Sequence, residues 1–124
     1  KLGLVKNIHW LGLRNDVPRL LCGGDIYVQP SRSEGIPLSI MESSIAGLPI
    51  IATRVGGNPE AAIEGENAIV VPSEDPESLA EAIYRLYVDK ALRGKLARAG
   101  RAIALEKFSL TNNVSKLIDK YYQV

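Results

Sequence analysis

The stretch DIYVQPSRSEGIPLSIMESSIAGLPIIATRVGGNPE, residues 25–60, reads as a strand, a helix, a second strand and the opening of a second helix. Asp25 to Gln29 is a short run rich in β-formers. Pro30 closes it, because proline has no N–H for a ladder. A helix is expected from about Pro37 to Ala46. Proline suits a first helical position, where its missing N–H has no partner in any case. Gly47 ends that helix, as a glycine after the last turn often does. Leu38, Met41, Ile45 and Leu48 form its expected core stripe, with Glu42 beside it. Pro49 to Thr53 is the next strand, and Asn58-Pro59-Glu60 opens a short helix as before.

The pattern extends both ways. Ile8 to Leu11 reads as a strand ending at Gly12. Asn15 or Asp16 can cap a short helix whose inner face is Val17, Leu20 and Leu21. Ala68 to Val71 is a fourth strand. After Pro72 the chain is all helix. Asp75-Pro76 begins one with Leu79, Ile83 and Leu86 on one face. Leu92, Leu96, Ala99 and Ile103 mark the next. Ser109 can cap a last helix that buries Val114, Leu117, Ile118 and Tyr121. Alternating strands and helices predict an α/β fold, a parallel sheet of about four strands flanked by helices and ending in three helices. Residues 1–124 read as one domain, with strand–helix alternation over 1–72 and helices over 73–124.

The chain has 124 residues, 46% apolar and 23% charged, enough for a globular core. A net charge of +1 gives no case for nucleic acid. The one cysteine, Cys22, follows two leucines and reads as a small buried hydrophobe. No apolar run reaches the ~18 residues of a membrane span. There is no signal-peptide pattern, so a cytoplasmic address is expected. No His, Cys or Asp cluster has ligand spacing, and no metal or cofactor is expected. His9, in a predicted strand, reads as structural. From Arg85 to Lys107 the charges are mostly basic. That run reads either as a solvated helix face or as a surface for anionic lipid headgroups or a partner.

The loop from Ser31 to Ile36 leads into a helix N-terminus, whose free N–H groups and dipole favour an anion. The N–H groups of Gly35, Ile36, Leu38 and Ser39 are candidate phosphate donors; Pro37 cannot donate. Gly35 lets backbone approach a ligand. The site lies at the carboxyl end of a strand, where open α/β sheets bind ligands. Glu34 and Glu42, seven residues apart in the gap between them, could each accept from hydroxyl groups either side of a diphosphate. That is the shape of a nucleotide sugar. The structural alternative is a Glu34 near the helix dipole and a solvated Glu42. Gly56-Gly57 alone reads as a tight turn, and Arg32 as a surface arginine.

Residues 25–60 closely resemble the donor-binding half of retaining GT-B glycosyltransferases of the family 4, or group 1, type. Glu34 and Glu42 match its glutamate–seven residues–glutamate motif, and Gly56-Gly57-Asn58-Pro59-Glu60 matches a second element. The resemblance continues through NAIVVP, DPESLAEAI and the FSL-to-tyrosine end, and back to IHWLGLRNDVPRLL. It implies a partial Rossmann-like fold and a nucleotide diphosphate sugar, UDP-, GDP- or ADP-linked, as donor. Glu42 would hold the ribose hydroxyls and Glu34 the sugar, as the catalytic position. The Gly35 to Ser39 backbone would take the diphosphate, and Gly56 and Gly57 would shape a nearby loop. Two departures are Ser43-Ser44 after the second glutamate and Ala68 where the family usually has glycine.

The resemblance also implies what the chain does not carry. The first domain, which holds the acceptor glycan or lipid, and the basic pair that neutralises the leaving diphosphate would lie upstream of Lys1. The 124 residues alone are therefore expected to be inactive. In the strand order 3-2-1-4-5-6 the first two strands would be missing, leaving a bare edge on the Ile26 strand. The Ile8 strand could move beside it, or two chains could pair as a dimer or larger oligomer. An enzyme part and a non-catalytic nucleotide-sugar-binding or assembly module both remain open. A dinucleotide-binding dehydrogenase is disfavoured, since no G-x-G-x-x-G follows a strand.

Overall fold

The computed structural model describes residues 3–109, 111, 113–116 and 120. Strands β1 (Tyr27–Gln29), β2 (Ile50–Thr53) and β3 (Ala68–Val71) form one parallel sheet in the order β1-β2-β3. Tyr27 pairs with Ile50, and Ile50 with Ala68. The helices are α1 (Val17–Cys22), α2 (Leu38–Ile45), α3 (Asn58–Ala61), α4 (Pro76–Val88) and α5 (Lys90–Lys107).

Successive strand side chains point to opposite faces, and both faces are covered. Ile50, Ala52 and Ala68 join Ile40 of α2 and Ala61 of α3 in one buried cluster. Ile51 and Val71 join Ala82 and Leu86 of α4 and Leu96 of α5 in the other. All four residues of β2, the middle strand, are buried. The last long helix links the two layers. Leu96 belongs to the α4-side cluster, while Phe108, just past the end of α5, packs on the α2 side. Between them Gly100 sits over Ser44 and Asn67: a Cβ there would lie 3.5 Å from Asn67 Cβ and 3.6 Å from Ser44 Oγ. Asn67 directly precedes β3, so α5 wraps the end where the strands begin. The carboxyl ends stay open.

Several expectations change. The described residues contain three strands, not about four. Ile8 to Leu11 forms none: a 3-10 turn, Leu4–Asn7, is followed by non-repetitive chain with Trp10 93% exposed. Ile8 is extended, at φ −112° and ψ 123°, but a strand needs a neighbour for its N–H and C=O groups, and none lies beside it. His9 is accordingly exposed. Nor does that segment cross to β1, whose only described partner is β2. Helix α1 buries none of its residues, so Cys22 is exposed rather than core. Asp16 sits at its N-cap without capping; both its carboxylate oxygens accept from Arg14 instead, at 2.7 and 2.8 Å.

Helix α2 begins at Leu38, and its buried residues are Ile40, Ser43 and Ser44. Leu38 is 62% exposed and Ile45 is exposed as well. The close approach of α5 at Gly100 decides this: small serines admit a neighbouring helix where large side chains would not. In α4 and α5 the buried positions are Ala82, Leu86, Leu96, Gly100 and Ala104, with Ile83 on the rim. Of the last helix, residues 113–116 are helical and Val114 is exposed. Leu117, Ile118 and Tyr121 lie outside the described residues.

Candidate functional site

Two loops meet at the carboxyl end of the sheet. One, residues 30–37, leaves β1 for α2; the other, residues 54–57, leaves β2 for α3. The Thr53 hydroxyl, at the end of β2, donates to the Ser31 carbonyl at 2.6 Å and ties the first loop to the middle strand. The glycine pair of the second loop lies directly on the first. A Cβ on Gly56 would be 1.8 Å from the Glu34 carbonyl oxygen, and one on Gly57 would be 2.2 Å from that of Gly35. Gly56 also has φ +47°, a region where only glycine is free of strain. The tight-turn and site-loop readings of Gly56-Gly57 thus describe one arrangement.

The turn into α2 has its own geometry. Pro37 is buried, at φ −82° and ψ 58°, and the Leu38 N–H donates back to the Ile36 carbonyl at 2.9 Å. This is an inverse γ-turn. It corrects the reading of Leu38 as a free phosphate donor and of Pro37 as a first helical residue. Pro37 instead stands at the N-cap, and its carbonyl accepts from Ile40 and Met41. The N–H groups of Gly35, Ile36 and Ser39 are bonded to no carbonyl of this turn. Gly35 and Ile36 are exposed, and the space where a Gly35 Cβ would point is open. Two of these N–H groups belong to the loop before α2 and one to its first turn.

The two carboxylates flank this turn. Glu34 is half-buried and accepts from the Ser31 hydroxyl. Glu42 is exposed on α2 and lines a cavity of about 370 Å³ with Pro18, Leu21, Cys22, Ile45 and Arg101. Both act on one group. Burial holds the Tyr27 hydroxyl above the usual tyrosine range; the Ser39 hydroxyl opposes this, and the negative fields of Glu34 and Glu42 add to it. The acids are thus within electrostatic reach of one point below the turn.

A larger cavity, about 470 Å³, opens on the α4 side of the carboxyl edge and includes Arg32, Thr53, Glu74 and Leu79. Arg32 pairs there with Glu74 at 3.2 Å, both side chains largely exposed. None of the residues singled out in the sequence for the donor lines it. The Glu42 cavity has apolar walls beside an acceptor carboxylate, but it runs along the C-terminal half of α2, by Ile45 and Arg101, and not over the turn.

Sequence reasoning missed a polar group beneath the site. Tyr27, Gln29, Ser39, Thr53 and Asn58 form one connected hydrogen-bond network, with Gln29 and Asn58 buried. The available signal was a glutamine ending an apolar strand whose neighbours are fully covered. Among the described residues no three His, Cys, Asp or Glu side chains gather as metal ligands would. No helix among them is long and apolar enough to cross a membrane.

Residues 1–89 match the family described as glycosyl transferases group 1. The chain is 32% identical over 121 residues to the Escherichia coli UDP-Gal:alpha-D-GlcNAc-diphosphoundecaprenol alpha-1,3-galactosyltransferase, covering 97% of this chain and 31% of that protein. It is 31% identical over 129 residues to the N-acetyl-alpha-D-glucosaminyl L-malate synthase of Bacillus anthracis, covering 99% and 34%. The crystal structure of Anabaena HepE in complex with UDP-glucose superposes with a TM-score of 0.90 at 25% identity, over 99% of this chain and 34% of that one. The C-terminal domain of a group 1 glycosyl transferase from Francisella tularensis superposes with a TM-score of 0.74 at 28% identity, over 83% and 53%. The chain therefore spans about a third of the length of the curated relatives it matches. The three-stranded parallel sheet between two helical layers is part of the GT-B C-terminal domain, and the chain belongs to the group 1 glycosyl transferases.

Proposed function

We propose that this chain is the donor-binding part of a hexosyltransferase that uses a nucleotide diphosphate sugar and retains configuration at the transferred carbon. One observation carries the reading: the Gly56-Gly57 backbone rests on that of Glu34-Gly35, in the loop that leads into the turn before α2. Gly35, Ile36 and Ser39 take the diphosphate through backbone N–H groups. Glu42 accepts from the ribose hydroxyls. Glu34 accepts from the sugar hydroxyls and is the candidate catalytic position. Gly56 and Gly57 hold the loop that shapes this end of the site. The relatives named for UDP-galactose and crystallised with UDP-glucose favour a uridine donor over GDP or ADP.

Catalysis needs more than this chain supplies. A leaving diphosphate must be neutralised, and preorganised positive charge is a main source of rate in such chemistry. The cation nearest the turn in sequence, Arg32, is paired with Glu74. The 124 residues by themselves bind donor without turning it over, and an acceptor glycan or lipid is held by a segment outside them. Calorimetric titration with UDP, GDP, ADP and their glucose conjugates tests the reading. Binding of UDP and UDP-glucose that is lost in Glu42→Ala is expected. Silence at millimolar nucleotide in the unaltered chain refutes it.

A second reading, a non-catalytic assembly module, is favoured by one specific observation. Val5, Trp10 and Leu13 are almost fully exposed, and the β1 edge of the sheet has no described neighbour. Such an edge invites a second copy of the chain, as a dimer or higher oligomer. Sedimentation across a concentration series tests this, and a constant monomer mass counts against it. A peripheral contact with anionic lipid is supported by exposed Tyr84, Tyr87 and Val88 on α4 and exposed Lys95 and Arg98 on α5. Flotation with anionic and neutral vesicles separates that contact from a merely solvated face.

A further inference from the structure

We infer that Gln29 is a positioning residue whose buried amide locks the diphosphate turn and the Gly56-Gly57 loop into one unit. The inference rests on the donor-site reading above. Gln29 ends β1 and is 5% exposed. Its Oε1 accepts from the Ser39 hydroxyl at 2.6 Å and from the Tyr27 hydroxyl at 2.9 Å. Its Nε2 donates to Asn58 Oδ1 at 3.1 Å, and Asn58 Nδ2 donates onward to the Thr53 carbonyl at 2.9 Å.

Each contact reaches a different part of the site. Ser39 lies in the first turn of α2, where the anion would bind. Asn58 directly follows the glycine pair and opens α3. Thr53 ends β2 and holds the Ser31 carbonyl. Among the described residues, Gln29 is the one side chain bonded both to the α2 turn and to the start of α3. A strand between two helical layers ordinarily presents aliphatic residues. A buried amide there costs desolvation unless partners offset it, and here Oε1 accepts two hydrogen bonds and Nε2 donates one. The network is made in one relative placement of the two loops and broken in others. It also commits the Ser39 hydroxyl inward, so that the turn offers an anion its N–H groups.

Amide NMR of the whole chain, with and without UDP, tests the lock. Gln29→Met keeps the volume and removes the network. It is expected to shift the amides of Gly35, Ile36 and Ser39 together with those of Gly56 and Gly57, and to weaken UDP at least tenfold. Ile51→Val, in the opposite cluster, is a core control that also lowers the melting temperature but leaves both loops and the affinity unchanged. Ser39→Ala is the milder variant, suited to the case where Gln29→Met does not fold. It is expected to move the Gly56 and Gly57 amides through Gln29. Shifts confined to one loop in either variant overturn the lock, as does unchanged UDP affinity in Gln29→Met. An unaltered chain that binds no UDP sinks the donor reading instead, and the ligand-free amide shifts then decide the lock by themselves.

Discussion

A Cβ on Gly56 would sit 1.8 Å from the carbonyl oxygen of Glu34, so the two loops of the site touch backbone to backbone. The neighbouring glycine of the first loop is different: a Cβ on Gly35 would meet nothing within 4 Å. The two positions should therefore separate stability from binding. Gly56→Ala forces a left-handed alanine against backbone and is expected to cost about 2 kcal/mol or more in urea unfolding. Gly35→Ala is expected to stay within about 0.5 kcal/mol of the unaltered chain. It should nonetheless weaken nucleotide binding, because its methyl group fills the approach to the turn. Equal unfolding midpoints for Gly56→Ala and the unaltered chain would contradict the loop contact.

The two glutamates make a second pair with unequal surroundings. Glu42 is exposed, and Glu34 is half-buried with the Ser31 hydroxyl upon it. Glu42→Ala is expected to leave stability within about 0.5 kcal/mol. It should lower UDP affinity at least about tenfold, the size of one hydrogen bond to a charged group. Glu34→Gln is expected to leave UDP affinity nearly unchanged and to weaken UDP-glucose, since its proposed partners are on the sugar. Calorimetry on both variants with both ligands checks the division. Equal losses for the two ligands in Glu34→Gln would remove Glu34 from the sugar side.

Tyr27 gives a pH test of the same geometry. Burial, chiefly, and then the fields of Glu34 and Glu42 raise its hydroxyl above the usual range around 10, with the Ser39 hydroxyl opposing. For a phenol this means that the folded state keeps its proton longer than the unfolded chain. The associated stability is full below the unfolded value and falls as pH rises toward the folded one. Tyr27→Phe should flatten the loss of stability above pH 10 that this residue causes. Glu42→Gln should bring the Tyr27 titration, followed by NMR, back down. A Tyr27 titration indifferent to both carboxylates would show that they do not share this neighbour.

How much of this was legible in sequence depended on whether a residue's fate was settled locally. Ala68 to Val71 is the strand expected, with its bounds, because a short run of β-branched residues between flanking turns specifies it without outside help. The order of loops and carboxylates around the turn follows from the same local signals. Ile8 to Leu11 has strand composition and no strand, since pairing is a property of the neighbour. Of the stripe expected on α2, Met41 packs on the core and Leu48, just past the helix, is buried, while Leu38 and Ile45 are exposed and Ile40, Ser43 and Ser44 face inward. Burial is set there by Gly100 of α5, 56 residues downstream of Ser44 in the chain. Gln29 and Asn58 escaped notice for a related reason: a polar side chain gains meaning only with its partner, and these are 29 residues apart.

The contact of α5 with α2 yields the last expectation. Gly100 is buried in the interior of an 18-residue helix, yet a Cβ there would meet its neighbours no closer than 3.5 Å, ordinary van der Waals contact. A methyl group fits, and alanine relieves the entropic cost of a mid-helix glycine. Gly100→Ala is therefore expected to stabilise the chain by about 0.5–1 kcal/mol. One residue on, the Arg101 guanidinium donates to the Ile45 carbonyl at 2.9 Å and satisfies the C-terminal end of α2. Arg101→Ala is expected to cost about 1 kcal/mol. The two changes act on the same helix pair in opposite directions, so thermal unfolding of both checks the packing from each side. Destabilisation by Gly100→Ala would mean that α5 lies closer to Ser44 than these distances allow.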